Sequence, residues 1–172
     1  MRNLEAKFRL DDLRKARGRA LGIGYTQHSV LLQRDTFFRC ASGKLKLREE
    51  ASRAMLIYYG RCAAEALQLS TYEIVEIVDP ENFRAMLAAA VGVIAEVRKE
   101  RTVLMRANVR LHLDRVEELG EFGEIEAVLA DGDDPEDSRA TVAETLAALR
   151  VSRDDLIEIS YFELAAQAAP PK

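Results

Sequence analysis

Residues 3–10, NLEAKFRL, alternate strictly: Leu4, Ala6, Phe8 and Leu10 are apolar, and Asn3, Glu5, Lys7 and Arg9 are polar or charged. A period of two puts each set on its own face of a strand, so residues 2–10 are expected to form a strand with one apolar and one wet face. The same reading predicts strands over 29–40, 44–49, 54–59, 71–78, 93–106, 109–114 and 122–129. The stretches ASGK and ELGEFG supply turn chemistry between neighbours. Short connections favour antiparallel pairing.

Helical periodicity is rarer. DDLRKARGRALG carries Leu13, Ala16, Ala20 and Leu21 on one side, behind acids suited to capping. DPENFRAMLAAAVG opens on Pro80, shows a stripe of Phe83, Met86, Leu87, Ala90 and Val91, and can end at Gly92. The acidic run before RATVAETLAALR precedes a helix with Val142, Leu146 and Leu149 on one face. SRDDLI and SYFELAAQ read as short helices divided by a turn, and the final APPK reads as a loose, disordered end. No internal repeat or linker interrupts residues 1–172, which are expected to form a single domain.

Composition narrows the class without deciding the function. A chain of 172 residues, 48% apolar and 31% charged, can bury a real core. A net charge of −4 gives no basic excess for nucleic acid. No apolar run approaches the roughly 20 residues of a membrane span. Cys40 and Cys62 lack metal-type spacing and suit a reducing cytoplasm, and neither has an evident activating partner.

The wet faces carry the chemistry. Lys44, Lys46 and Arg48 share one face of their strand; Lys99 pairs by parity with Arg101, Tyr59 with Arg61, and Arg110 with His112 and Asp114. Glu124 and Glu126 form an acidic pair on another strand. A charged outer face of a half-exposed sheet accounts for alternation alone. Three like charges on one face, however, call for a negative neighbour or ligand. Separate cationic and anionic strips suit a polyanion held with a divalent metal: Arg and Lys grip phosphate oxygens, and carboxylates hold Mg²⁺ or Mn²⁺. A closed eight-stranded antiparallel barrel with a polar lumen, its apolar outer faces covered by flanking helices, satisfies both patterns in an α+β fold. His112 shares the Arg110–Asp114 face and is a weak catalytic candidate; His28 reads as an ordinary polar residue. Tyr58, Tyr59, Phe37 and Phe38 read as packing residues. DGDDPEDS lacks the Gly and closing Glu of a calcium loop and reads as a solvated, helix-capping run.

Assembled in order, NLEAK, QRDTFF, GKLKLRE, LIYYGR, VRKERTVL, RLHLDRVEELGEFGEIE and SYFEL resemble the CYTH family, also called triphosphate tunnel metalloenzymes. The branch they look most like is that of the class IV adenylate cyclases. The resemblance implies a tunnel that takes a nucleoside triphosphate or inorganic triphosphate with Mg²⁺ or Mn²⁺, as a cyclase making cyclic AMP and pyrophosphate or as a triphosphatase. It implies metal binding by Glu5, Asp114, Glu124 and Glu126. It also implies substrate binding by Lys7, Lys46, Arg48, Arg61, Lys99, Arg101 and Arg110. Relatives imply a homodimer, for which apolar outer strand faces leave room. Two departures stand out: Asn3 replaces the first glutamate of the family's E-x-E-x-K strand, and Tyr59 stands where many members carry a lysine; the charge they remove keeps a further alternative open, a triphosphate- or nucleotide-binding protein with little turnover.

Overall fold

The computed structural model describes residues 2–60, 68–129 and 135–168. Arg61, Cys62 and the terminal APPK lie outside them. In chain order the elements are β1 (Arg2–Arg9), α1 (Leu13–Gly22), β2 (Thr26–Phe38), β3 (Lys44–Glu49), β4 (Ala54–Tyr59), β5 (Gln68–Ile77), α2 (Pro80–Val91), β6 (Val93–Arg106), β7 (Val109–Val116), β8 (Gly120–Leu129), α3 (Pro135–Leu149) and α4 (Tyr161–Ala168). A single 3₁₀ turn, Arg153–Asp155, precedes α4. Among the described residues the fold is α+β, with eight antiparallel strands in one sheet and four α-helices.

β1 pairs with β5 on one side and β8 on the other, so the order β1-β5-β4-β3-β2-β6-β7-β8 runs round to its start. All eight predicted strands form. β2 begins three residues before the expected 29, and its register with β6 slips at His28. β7 and β8 are longer than expected because only Glu117–Leu119 turn between them, with Glu118 at φ 63.

Local chemistry sets the helix ends. Asp12 caps α1 by accepting from the Lys15 amide at 3.0 Å, and Asp79 caps α2 from the Asn82 amide at 3.3 Å. Pro80 needs no amide partner at the first position of α2. Gly92, at φ 81, ends that helix in a conformation that disfavours a side chain. Among the described residues, no helix is long and apolar enough to cross a membrane.

The main hydrophobic core lies outside the ring of strands. Leu4 and Phe8 of β1, Leu104 of β6, Leu111 and Leu113 of β7 and Ile125 of β8 point outward, beneath Ala16 and Ala20 of α1 and Val142 and Leu149 of α3. Each large side chain fully buried there contributes roughly 1.5–3 kcal/mol. α2 lays Phe83, Leu87 and Ala88 over Phe38, Leu47 and Ala54. α4 and the segment before it pack Tyr161, Leu164, Ile157 and Ile159 against Phe37, Val97, Val116 and Phe122. In two helices the buried face is narrower than the apolar stripe. Leu21 turns to solvent because α1 packs through its alanines, and Met86, Ala90 and Val91 lie beyond the edge of the α2 contact.

Candidate functional site

With apolar side chains turned outward, the opposite parity of each strand faces the interior. That surface lines a cavity of about 1180 Å³. Glu5, Lys7, Lys46, Arg48, Lys99, Arg101, Arg110, His112, Glu124 and Glu126 all line it, so ten of the residues singled out by sequence share one space.

Two groups of cations are held by the same device. On β3, Arg48 donates Nε to Asp35 Oδ1 at 2.7 Å and Nη2 to Oδ2 at 2.6 Å, while Lys46 Nζ donates to Oδ2 at 3.1 Å. On β6, Arg101 donates Nε to Asp114 Oδ1 at 2.7 Å and Nη2 to Oδ2 at 2.6 Å, while Lys99 Nζ donates to Oδ2 at 3.2 Å. Each aspartate stands opposite its arginine in the ladder. One clamp follows the other round the ring two strands on, as β7–β6 and then β2–β3. Bidentate Arg–carboxylate pairs are strong and fix the guanidinium plane. Each aspartate takes two of its arginine's five N–H donors and one of its lysine's three; Arg101 Nη2 also donates to Glu124 at 2.9 Å, and the donors left over can meet an incoming anion.

Asp114, expected among the metal ligands, is fully buried (0% exposed) and also accepts from the Tyr161 hydroxyl at 3.0 Å, so in this structure its oxygens orient cations. Asp35, 2% exposed, is its twin and was not singled out from the sequence, although QRDTFF contains it. Tyr161 was also missed, because SYFEL read as one more helix. The first residue of α4 reaches the interior, and its ring lies 4.5 Å from Lys7 Nζ and 4.9 Å from Lys99 Nζ. Tyr59 enters the interior as well, its ring 5.2 Å from Lys46 Nζ.

Burial and charge work against each other here. Burial would raise the Asp35 and Asp114 carboxyls, but Arg48 with Lys46, and Arg101 with Lys99, hold them well below the usual range. Burial, reinforced by the neighbouring arginines, pushes Lys46 down to about 8 and Lys99 to about 7 despite their aspartates.

The acids divide into two kinds. Burial would raise Glu124, but Lys7 (3.4 Å), the nearby His112 ring (3.6 Å) and Arg101 (2.9 Å) hold its carboxyl far down. Glu126 is raised by burial and by Glu124, with Arg110 Nη1 at 3.5 Å opposing. Glu5 of β1 stands directly opposite Glu126 of β8, and both line the cavity. Like charges at such a cross-strand position repel, and a cation between them removes the penalty. The donor set there is hard oxygen, which fits a divalent Mg²⁺ or Mn²⁺ ion. Among the described residues, however, no three His, Cys, Asp or Glu side chains already form a metal cage. The backbone of Asn3 pairs with Ser70 and Val128 in the same sheet.

A ring of antiparallel strands with its core outside and a charged cavity inside defines a distinct class of protein. Residues 1–161 match the CYTH domain, and the chain belongs to that family. It is 27% identical over 173 residues to a Methanocaldococcus jannaschii protein named "Putative adenylate cyclase MJ0240", covering 95% of this chain and 98% of that one. The PH1012 protein of Pyrococcus horikoshii has a similar fold, with a TM-score of 0.84 at 22% identity over 94% of this chain and 98% of the other. So does HpAC1 from Hippeastrum, called a "putative adenylyl cyclase" that reveals a dominant triphosphatase activity, with a TM-score of 0.70 at 15% identity over 99% and 97% of the two chains.

Proposed function

We propose that this protein is an enzyme that binds a triphosphate inside a closed strand tunnel and turns it over with a divalent cation, Mg²⁺ or Mn²⁺. The observation that carries this reading is the pair of Asp-held Lys/Arg clamps that share one cavity with Glu5 and Glu126, which stand opposite each other on β1 and β8. Lys46, Arg48, Lys99 and Arg101 grip phosphate oxygens through the donors their aspartates leave over, and Lys7 and Arg110 stand ready beside them. Glu5 and Glu126 hold the cation, which when bound neutralises charge on the phosphates. Phosphoryl transfer needs positioning and charge stabilisation more than covalent help from the protein, and rigidly held cations supply both.

Adenylate cyclisation is the reading we favour. The substrate's 3′-oxygen attacks the α-phosphorus, the bond from that phosphorus to the bridging oxygen breaks, and pyrophosphate leaves. Besides its charged part, the cavity has apolar walls at Leu31, Met55, Ile74, Val103 and Met105, which inorganic triphosphate would not use. The name of the M. jannaschii relative supports the same choice. The activity ascribed to HpAC1 supports the second reading, triphosphate hydrolysis by water on the same grip. Phosphorus NMR of reactions with ATP and with tripolyphosphate separates them, as pyrophosphate with a cyclic nucleotide or as orthophosphate. Glu126→Gln should abolish metal-dependent turnover of either kind, and unchanged turnover would sink the site assignment.

A further inference from the structure

His112 stands between the two inner glutamates of β8. Its Nδ1 lies 3.6 Å from Glu124 Oε2 and its Nε2 lies 3.9 Å from Glu126 Oε2. The residue is 8% exposed, and Nδ1 is buried without a hydrogen-bond partner. Leaving such an atom unsatisfied costs about 1–3 kcal/mol, so the placement calls for a reason.

A neutral imidazole donates from one nitrogen and offers a lone pair on the other. Glu124 faces His112 across the ladder and is fixed from behind by Lys7 and Arg101. A small closing movement makes it the acceptor for Nδ1–H. The Nε2 lone pair then points toward Glu126, where lone pair and carboxylate repel unless a cation lies between them. Metal-bound histidines are commonly oriented in this way, with a carboxylate on the other ring nitrogen. Two close cations on Glu124 disfavour a metal at that carboxylate, whereas Glu126 meets one, Arg110 at 3.5 Å, and stands opposite Glu5.

We propose that His112 Nε2 is a ligand of a divalent cation seated at Glu126 and Glu5, and that Glu124 is the positioning residue that holds the ring through Nδ1. This rests on the metal-dependent reading above and deepens it. A nitrogen donor in an oxygen site tilts the preference from Mg²⁺ toward Mn²⁺ or Co²⁺, since imidazole suits transition metals and Mg²⁺ keeps to oxygen.

The test loads the full-length protein with Mn²⁺ and tripolyphosphate, which contains no nitrogen, and records pulsed EPR. The expected spectrum of the unaltered protein shows ¹⁴N coupling to Mn²⁺. His112→Gln should lose it and bind Mn²⁺ at least about tenfold more weakly, with a smaller change for Mg²⁺. Glu124→Gln should keep the coupling while weakening Mn²⁺ roughly 10–100-fold, the usual effect of removing an orienting partner. The unaltered protein decides the matter even if a variant does not fold. Bound Mn²⁺ with no ¹⁴N coupling overturns the role of His112 and leaves the metal–triphosphate reading standing. Failure to bind Mn²⁺ at all overturns both.

Discussion

Replacing Asp114 with Asn keeps the side chain's shape and deletes one charge, which isolates what the clamp contributes. The carboxylate receives four donors: two from Arg101 at 2.6 and 2.7 Å, Tyr161 at 3.0 Å and Lys99 at 3.2 Å. An amide offers a single oxygen and turns its NH₂ toward the guanidinium. Lys99, already down to about 7, escapes by losing its proton, but Arg101 cannot. Removing one partner of a buried ion pair costs about 3–5 kcal/mol. Glu124 still meets Arg101 at 2.9 Å, so the expected loss is at the lower end, about 3 kcal/mol. At roughly 2–4 °C per kcal/mol for a chain of this size, Tm should fall by about 6–12 °C. The folded carboxyl lies far below its unfolded value near 3.9, so this contribution is present above that pH and is lost only in stronger acid. Scanning calorimetry at pH 7.5 reads the shift, with Asp35→Asn as the matched twin. Tripolyphosphate in excess should narrow the gap by supplying Arg101 with another anion. A Tm within about 1 °C of the unaltered protein would show that the interior cations do not depend on their aspartates.

Gly123→Ala should destabilise by about 1–3 kcal/mol, because a Cβ there would lie 2.1 Å from Cε2 of the buried Phe8 ring. A lower urea midpoint at unchanged slope is the expected result, and an unmoved midpoint would refute the packing argument. Triphosphate binding should take up protons above pH 7, since an anion favours the charged forms of Lys99 (about 7) and Lys46 (about 8) in the cavity. Affinity should therefore decline as pH rises from 7 to 9. Calorimetry in two buffers of different ionisation enthalpy measures the uptake at pH 8, where none would count against the clamps as the binding groups.

The strands were legible because one physical fact recurs along the chain. Leu4, Phe8, Leu111, Leu113 and Ile125 need covering, and Lys7, His112 and Glu124 between them need a polar space. That alternation announces both a sheet and its two unlike faces. Asp35 was harder to see: it is a single acid between Arg34 and Thr36, and nothing in its neighbourhood shows that β3 folds against it to deliver Lys46 and Arg48. Tyr161 was hidden for a related reason. A residue that plugs a strand ring from a separate helix leaves no periodic trace. The partners of Asp114 were not legible either, because parity gives a direction and not a partner.

The charge argument itself changes once the partners are known. Three cations on β3 implied a negative neighbour or ligand, and the structure supplies neighbours: Asp35 takes Lys46 and Arg48, and Glu163 takes Lys44 at 3.0 Å. Asp114 does the same on β6 for Lys99 and Arg101. The cationic strips therefore do not by themselves require a bound anion, and a triphosphate must compete for groups already paired. The stronger demand comes from the acids. Glu5 and Glu126 face each other across β1 and β8, and the burial that raises Glu126 is compounded by Glu124 two residues away. On the proposed function, a divalent cation would relieve that repulsion, and its charge would draw the triphosphate toward the clamps. Cation and triphosphate should accordingly bind with positive coupling, each tightening the other by the same factor. Titrating tripolyphosphate with and without Mn²⁺, and Mn²⁺ with and without tripolyphosphate, measures that factor twice. Independent binding would mean that the facing glutamates are not where the cation sits.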